Sequence, residues 1–366
     1  MKKKCVPLVL ALMLAFSNAS VYAASTSTAA STSASEQEDD GILTVDEALT
    51  KAIAYSRTLK SLYEQNEINE LTADDTRTSL VNSSEYVDVT NLNVELKNLM
   101  YNIQNYGTNV EIEKEKIRLN IIELFASIIS AEDAIDLYDE EIELNERELK
   151  IAEVKNSLGL LSQTEYNALV TENESVKSSK QSLESALDSA YTSLNQILGQ
   201  NIDNKYTVQL DIEYEPLGDV DLNYAITKAS TSSQTIKELE EAAEIAEYQL
   251  DVYSVEYSGG YKESAQNNYA QATRELADAK TEMEASVKNL YNSIISAETT
   301  YNNNLASLEQ QKQELEVKKV QLDLGKITQL EYDQAEYQIK ELENTIKQSV
   351  YSHYVDVCKF NNPDLI

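Results

Sequence analysis

Few residues in this chain could do covalent chemistry, and their spacing argues against it. His353 is the only histidine, and Cys358 is the only cysteine beyond Cys5 near the amino terminus. One histidine excludes a multi-histidine metal centre. Five residues apart on a helix, His353 and Cys358 fall on different faces and do not form a nucleophile–base pair. Gly-rich phosphate cradles such as G-x-G-x-x-G are missing. No acid/base or nucleophile constellation emerges, so the sequence reads as a non-enzyme with no cofactor and no metal. The 23 tyrosines are expected to be amphipathic interface residues of a water-exposed coiled coil.

The informative carboxylates are Glu165 and Glu331. Each lies in a pattern L-G-x-x-[S/T]-Q-x-E-Y that occurs twice, at Leu158–Tyr166 and Leu324–Tyr332, offset by 166 residues. In both copies a glycine, Gly159 or Gly325, follows a heptad-spaced run and can end that helix in the left-handed conformation. Ser162 or Thr328 then caps the next helix, with Glu165 or Glu331 three residues on completing a capping box. Each copy is therefore expected to be the tip of an αα-hairpin.

The elements around the tips repeat too. Ser127–Glu132 matches Ser293–Glu298 at the same offset of 166, and Ala48–Ala52 matches Ala225–Ala229 at an offset of 177. The chain is a tandem duplication, expected as repeat 1 over 41–218 and repeat 2 over 219–366. Residues 1–23, with Lys2–Lys4 before an apolar run and Val21-Tyr22-Ala23 as a small-residue site, read as a signal peptide cleaved after Ala23. Residues 24–40 read as a disordered Ser/Thr-rich, acidic leader. Losing three lysines takes the net charge from −33 to −36, which argues against nucleic acid or anionic lipid as a partner. No later stretch is apolar for the ~20 residues a spanning helix needs.

Only 8 glycines and 3 prolines leave room for long helices. Helices are expected from Thr44 to about Asp74, 93–156, 163–198, 222–257, 262–324 and 328–360. Residues 75–92 fit a bent helix, a loop or a short strand. Tyr206–Tyr214 alternates with period two and reads as a strand. In the long helix, a principal apolar row including Ile121, Ile128 and Ala152 has coiled-coil spacing. A second, sparser row (Ile122, Ala126, Ile129, Leu137, Leu144, Ile151) suits a helix with neighbours on both sides.

Taken together, the order, spacing and duplication resemble the TolC-type outer-membrane efflux and secretion channels over about residues 42–360. The resemblance rests on LTVDEALTKAI, LNIIELFASIISAEDAI, VKNLYNSIISAETTY, the mid-chain connection and the two tips. It implies a mainly α fold of duplicated hairpins, a homotrimer closing into a hollow helical tube with a small mixed α/β belt, and cargo passing through the lumen. It also implies partners: a periplasmic-type adaptor (membrane fusion protein) and an inner-membrane pump of ABC or RND type. Leu158, Gly159, Leu324 and Gly325 match the adaptor-docking tips, while Glu165 and Glu331 match an acidic entrance constriction as well as a capping box. Ile327, with Lys326 beside it, stands at the position of the family's gating arginine, and Gln334 at the second acidic gate position, so the closing salt-bridge network is not carried over intact. Family members with a membrane barrel insert two strands per repeat; only Ser258–Tyr261 separates the helices in repeat 2, and no transmembrane β-barrel is expected. The alternative reading is an exported coiled-coil scaffold or cell-surface binding protein without transport. Either way the chain is expected outside the cytoplasm, in the cell envelope.

Overall fold

A computed structural model describes residues 41–256 and 260–366. The expected signal peptide and leader, and part of the Ser258–Tyr261 link, lie outside the described residues. The elements run β1 (Ile42–Thr44), α1 (Val45–Tyr55), α2 (Arg57–Asn82), α3 (Tyr86–Ser157), α4 (Gln163–Leu198), β2 (Thr207–Gln209), α5 (Leu222–Ser232), α6 (Gln234–Glu256), α7 (Gly260–Asp323) and α8 (Gln329–Asn361), with a final 3₁₀ turn at Pro363–Leu365. At about 1.5 Å per residue, the 72 residues of α3 span roughly 108 Å and the 64 of α7 roughly 96 Å.

The long helices hold a shared plan in two halves. Towards the tips, α4 packs on α3, α3 on α8, and α8 on α7. At the other end the order is α2, α3, α6, α7. Helix α3 therefore has neighbours on both sides, as its second apolar row requires: Ile122 and Leu144 are buried. Ile151, placed in the same row, is instead 45% exposed. The last ion pair of the α3–α8 seam is Arg147–Asp333, and Ile151, one turn further on, is level only with the first residue of α8 at Gln329.

Around the middle, the duplication is visible as two equivalent cores. One gathers Leu43, Ala48, Ala52, Ile121, Phe125, Ile128 and Leu194. The other gathers Ala229, Val287, Ile294 and Phe360 with Val220, Ala225 and Tyr291 packed against them. Ile121 and Val287, Ile128 and Ile294, and Leu194 and Phe360 are each related by 166, so one sequence pattern builds the same packing twice.

Two expectations about elements need correction, the unbroken first helix of each repeat and the length of the strand, and residues 75–92, left open above, take one form. The first helix breaks at Ser56, which ends α1 and caps α2 by accepting the Leu59 amide at 3.2 Å. Repeat 2 breaks at the equivalent Ser233, between α5 and α6. Residues 75–92 are helical apart from Ser83–Glu85, so the weak helix formers there yield a short turn between α2 and α3. Of the strand read over Tyr206–Tyr214, only Thr207–Gln209 forms, in parallel register Ile42↔Thr207 to Thr44↔Gln209. Its partner β1 has three residues, and a ladder is no longer than its shorter member. Among the described residues these two strands make the only sheet, and no β-barrel is present. No described helix is long and apolar enough to cross a membrane.

Candidate functional site

The two tips have the same construction. In tip 1 the Leu160 amide bonds Lys155 O at 2.8 Å and Gly159 bonds Asn156 O at 2.9 Å; in tip 2 Lys326 bonds Gln321 O at 2.8 Å and Gly325 bonds Leu322 O at 2.8 Å. This six-to-one closure needs a left-handed residue, supplied by Gly159 at φ +72° and Gly325 at φ +66°. Both capping boxes form. Glu165 Oε2 accepts from Ser162 N at 3.0 Å, and Glu331 Oε2 accepts from Thr328 N at 2.8 Å. The Thr328 backbone bond holds the Glu331 carboxyl below the usual carboxylate range.

The four residues expected at a constriction do not form one bonded cluster in the chain. Glu165 and Glu331 sit in the first turns of different hairpins, each engaged by its own cap. Lys326 is exposed in the tip turn, while Gln334 is half-buried and donates to Glu148 Oε2 at 3.4 Å across the α3–α8 seam. Leu158 and Leu324 are exposed, 68% and 64%.

Two features escaped the sequence reading. The first is an apolar stripe at each tip. Ile151, Val154 and Leu158 are exposed on α3, and Val317, Val320 and Leu324 are exposed on α7. Members of the two trios are related by the same offset of 166, at helical spacings of three and four. The signal was present in the repeat, but heptad spacing alone does not tell a covered row from a bare one.

The second feature is the ion-paired seam between hairpins. Arg147 meets Asp333 at 2.6 Å, Lys340 meets Glu140 at 2.8 Å, Lys347 meets Asp133 at 2.6 Å, and Lys359 meets Glu123 at 2.9 Å. Tyr337 adds a hydroxyl bond to Glu141 at 3.3 Å. These pairs span about 190 to 240 positions of sequence, so the helix register had to be known before they could be read.

At the waist, the only histidine is structural. His353 is 4% exposed, and its Nε2 lies 3.0 Å from Glu298 Oε1. The same carboxylate oxygen accepts the Leu217 amide at 2.6 Å, tying the mid-chain connection to α7 and α8. Tyr214 stacks on Tyr301 with ring centroids 3.9 Å apart. Burial pushes the Cys358 thiol up, so it is poorly suited to act as a nucleophile. No group of metal-ligating side chains occurs among the described residues.

No protein-family model matches the chain, and no curated protein does. Solved structures do. The Campylobacter jejuni CmeC outer membrane channel matches at TM-score 0.64 and 13% identity, covering 87% of this chain and 86% of that one. The Vibrio cholerae outer membrane protein VceC matches at TM-score 0.60 and 12% identity, covering 88% and 95%. The open state of the Neisseria gonorrhoeae MtrE outer membrane channel matches at TM-score 0.56 and 11% identity, covering 88% and 89%. These duplicated hairpins, their waist and their tips thus have the fold of the outer-membrane channel proteins, as the resemblance to the TolC-type family implied.

Proposed function

We propose that this chain is the exit-duct subunit of a multipartite efflux or type I-like secretion system. Three copies close into a helical tube, and cargo passes through its lumen without covalent chemistry. The observation that carries this reading is an array with two bare edges. Helices α4, α3, α8 and α7 pack in that order, and α4 and α7 form no seam with each other among the described residues. A hairpin pair that ends in two long unpaired helices is a segment of a ring, and head-to-tail repetition closes it.

The bare apolar trios at the tips supply the second half of the reading. They occur at equivalent positions in both repeats, so they are not explained by one hairpin covering the other. A helix presenting apolar residues at three and four spacing suits a partner helix. We assign that partner as the hairpin of a membrane-fusion adaptor linked to a membrane pump. Glu165 and Glu331, repeated around the tube, would place acidic groups at its narrow end and favour cations there. The chain belongs in the cell envelope on this reading.

Sedimentation equilibrium of the full exported chain is the test. A mass three times that of one chain supports the duct. A monomer at every concentration would move the assignment to an exported coiled-coil scaffold.

A further inference from the structure

The two repeats break their first helix at equivalent serines, Ser56 and Ser233, but the two breaks differ in charge. In repeat 2 two carboxylates serve the break. Asp364 Oδ1, in the turn after α8, accepts the Gln234 amide in the first turn of α6 at 2.6 Å. Glu240 on α6 meets Lys280 on α7 at 2.7 Å. Both acids are lost at the corresponding places of repeat 1. Position 364 corresponds to Leu198, buried in α4, and position 240 to Tyr63, exposed on α2. The cations are kept, and one is added. Lys237 and Lys280 correspond to Lys60 and Lys114, while Gln234 corresponds to Arg57.

Arg57, Lys60 and Lys114 line a cavity of about 380 Å³ between the α1–α2 break and α3. Tyr55, Tyr106 and Val110 contribute to its wall, and no acidic side chain lines it among the described residues. In a chain with 63 acidic and 30 basic residues, a hollow with three cations and no acid reverses the general balance. Lys114 and Lys60 reach acids on their own helices, Glu111 at 2.7 Å and Glu64 at 3.9 Å. Such exposed pairs are weak, so a bound anion can displace them. The volume suits a small ligand. A guanidinium fork takes a carboxylate through two parallel bonds, and the first turn of a helix favours an anion, as the Gln234 amide shows in repeat 2.

We propose that this cavity binds a small organic dicarboxylate, which supplies from solution the two carboxylates that repeat 2 carries in its own chain. One carboxylate sits on Arg57, Lys60 and the start of α2. The other sits on Lys114 of α3. The bound ligand ties α2 to α3 beside the Ser56 break, as Glu240 ties α6 to α7 beside Ser233.

The probe is glutarate, with acetate as the one-carboxylate control, on the full chain at fixed ionic strength. Acetylation by a dilute N-hydroxysuccinimide ester, read peptide by peptide by mass spectrometry, reports each lysine separately. Glutarate at about 20 mM, above the millimolar dissociation constant expected of so small a ligand, should slow acetylation of Lys60 and Lys114 by about threefold or more and leave Lys237 and Lys280 unchanged. Acetate at about 40 mM, the same carboxylate concentration, should slow them by less than about 1.5-fold, because it lacks the tethered second group. Arg57→Gln, which installs the residue of repeat 2, should abolish the protection. Tyr63→Glu, which restores the acid of repeat 2, should lower it at Lys114. Both positions are exposed, and circular dichroism checks that the variants keep their helices. No protection at all, equal slowing at all four lysines, equal slowing by acetate, or protection that survives Arg57→Gln overturns the proposal. None of these measurements uses association, so each result stands apart from the fate of the ring.

Discussion

Two glutamates related by the duplication should differ sharply in their contribution to stability. Glu132 and Glu298 occupy equivalent places, 166 residues apart. Glu298, whose side chain is 16% exposed, holds the Leu217 amide at 2.6 Å and His353 Nε2 at 3.0 Å on one oxygen. Glu298→Ala strands a backbone donor and an imidazole that is 4% exposed. At about 1–3 kcal/mol for each of the two unsatisfied groups, the loss should be about 2–6 kcal/mol. Glu132 is exposed and holds only the Tyr191 hydroxyl, at 2.9 Å, and that hydroxyl keeps the Tyr206 carbonyl at 2.7 Å when Glu132 is removed. Glu132→Ala should therefore cost about 0.5–1 kcal/mol. Urea unfolding followed by circular dichroism, at one fixed protein concentration because association adds to apparent stability, measures both. Equal losses, or a larger loss for Glu132→Ala, would refute the claim that the Glu298 carboxylate pins the mid-chain connection to the tube.

Other expectations follow from single contacts. Gly199→Ala should destabilise more than Gly325→Ala: both have positive φ, costing about 1–2 kcal/mol, but only at Gly199 would the added Cβ meet a neighbour, the Tyr55 ring at 2.3 Å; thermal melts of the two variants, and of Gly199→Ala with Tyr55→Ala, separate the terms. Asn173 is 3% exposed and its Oδ1 has no hydrogen-bond partner among the described residues, whereas the equivalent position in repeat 2 is the buried Ile339. Asn173→Ile should thus raise stability by about 1–2 kcal/mol in urea titrations. Burial, joined by repulsion from Glu341 and Glu172, pushes the Glu141 carboxyl above its usual range against the pull of the Tyr337 hydroxyl. The native chain then keeps that proton longer than the unfolded one, so stability falls as pH rises from the ordinary carboxylate pKa through the raised one. Glu141→Gln should melt higher at neutral pH, and the gain should vanish below the ordinary carboxylate range.

The sequence made the local rules legible and left the lateral ones hidden. Capping boxes at Ser162 and Thr328, and left-handed glycines at 159 and 325, are decided within a few residues and appear as expected. The internal repeat revealed the architecture because helices at a fixed offset must pack alike. What could not be read was whatever depends on where one helix ends beside another. Ile151 has core spacing, yet only the first residue of α8 is level with it, and it stays 45% exposed. Arg147 finds Asp333 only after both hairpins are in register. Tyr206–Tyr214 alternates like a strand, but the chain offers it only three residues of β1.

A ring of helices around water is visible in cryo-electron micrographs taken down its axis. We predict end-on views with twelve helices, four from each of three chains, around a centre at solvent density. A particle whose centre is filled by packed side chains, or whose four-helix arrays associate without closing, would rule out a water-filled duct.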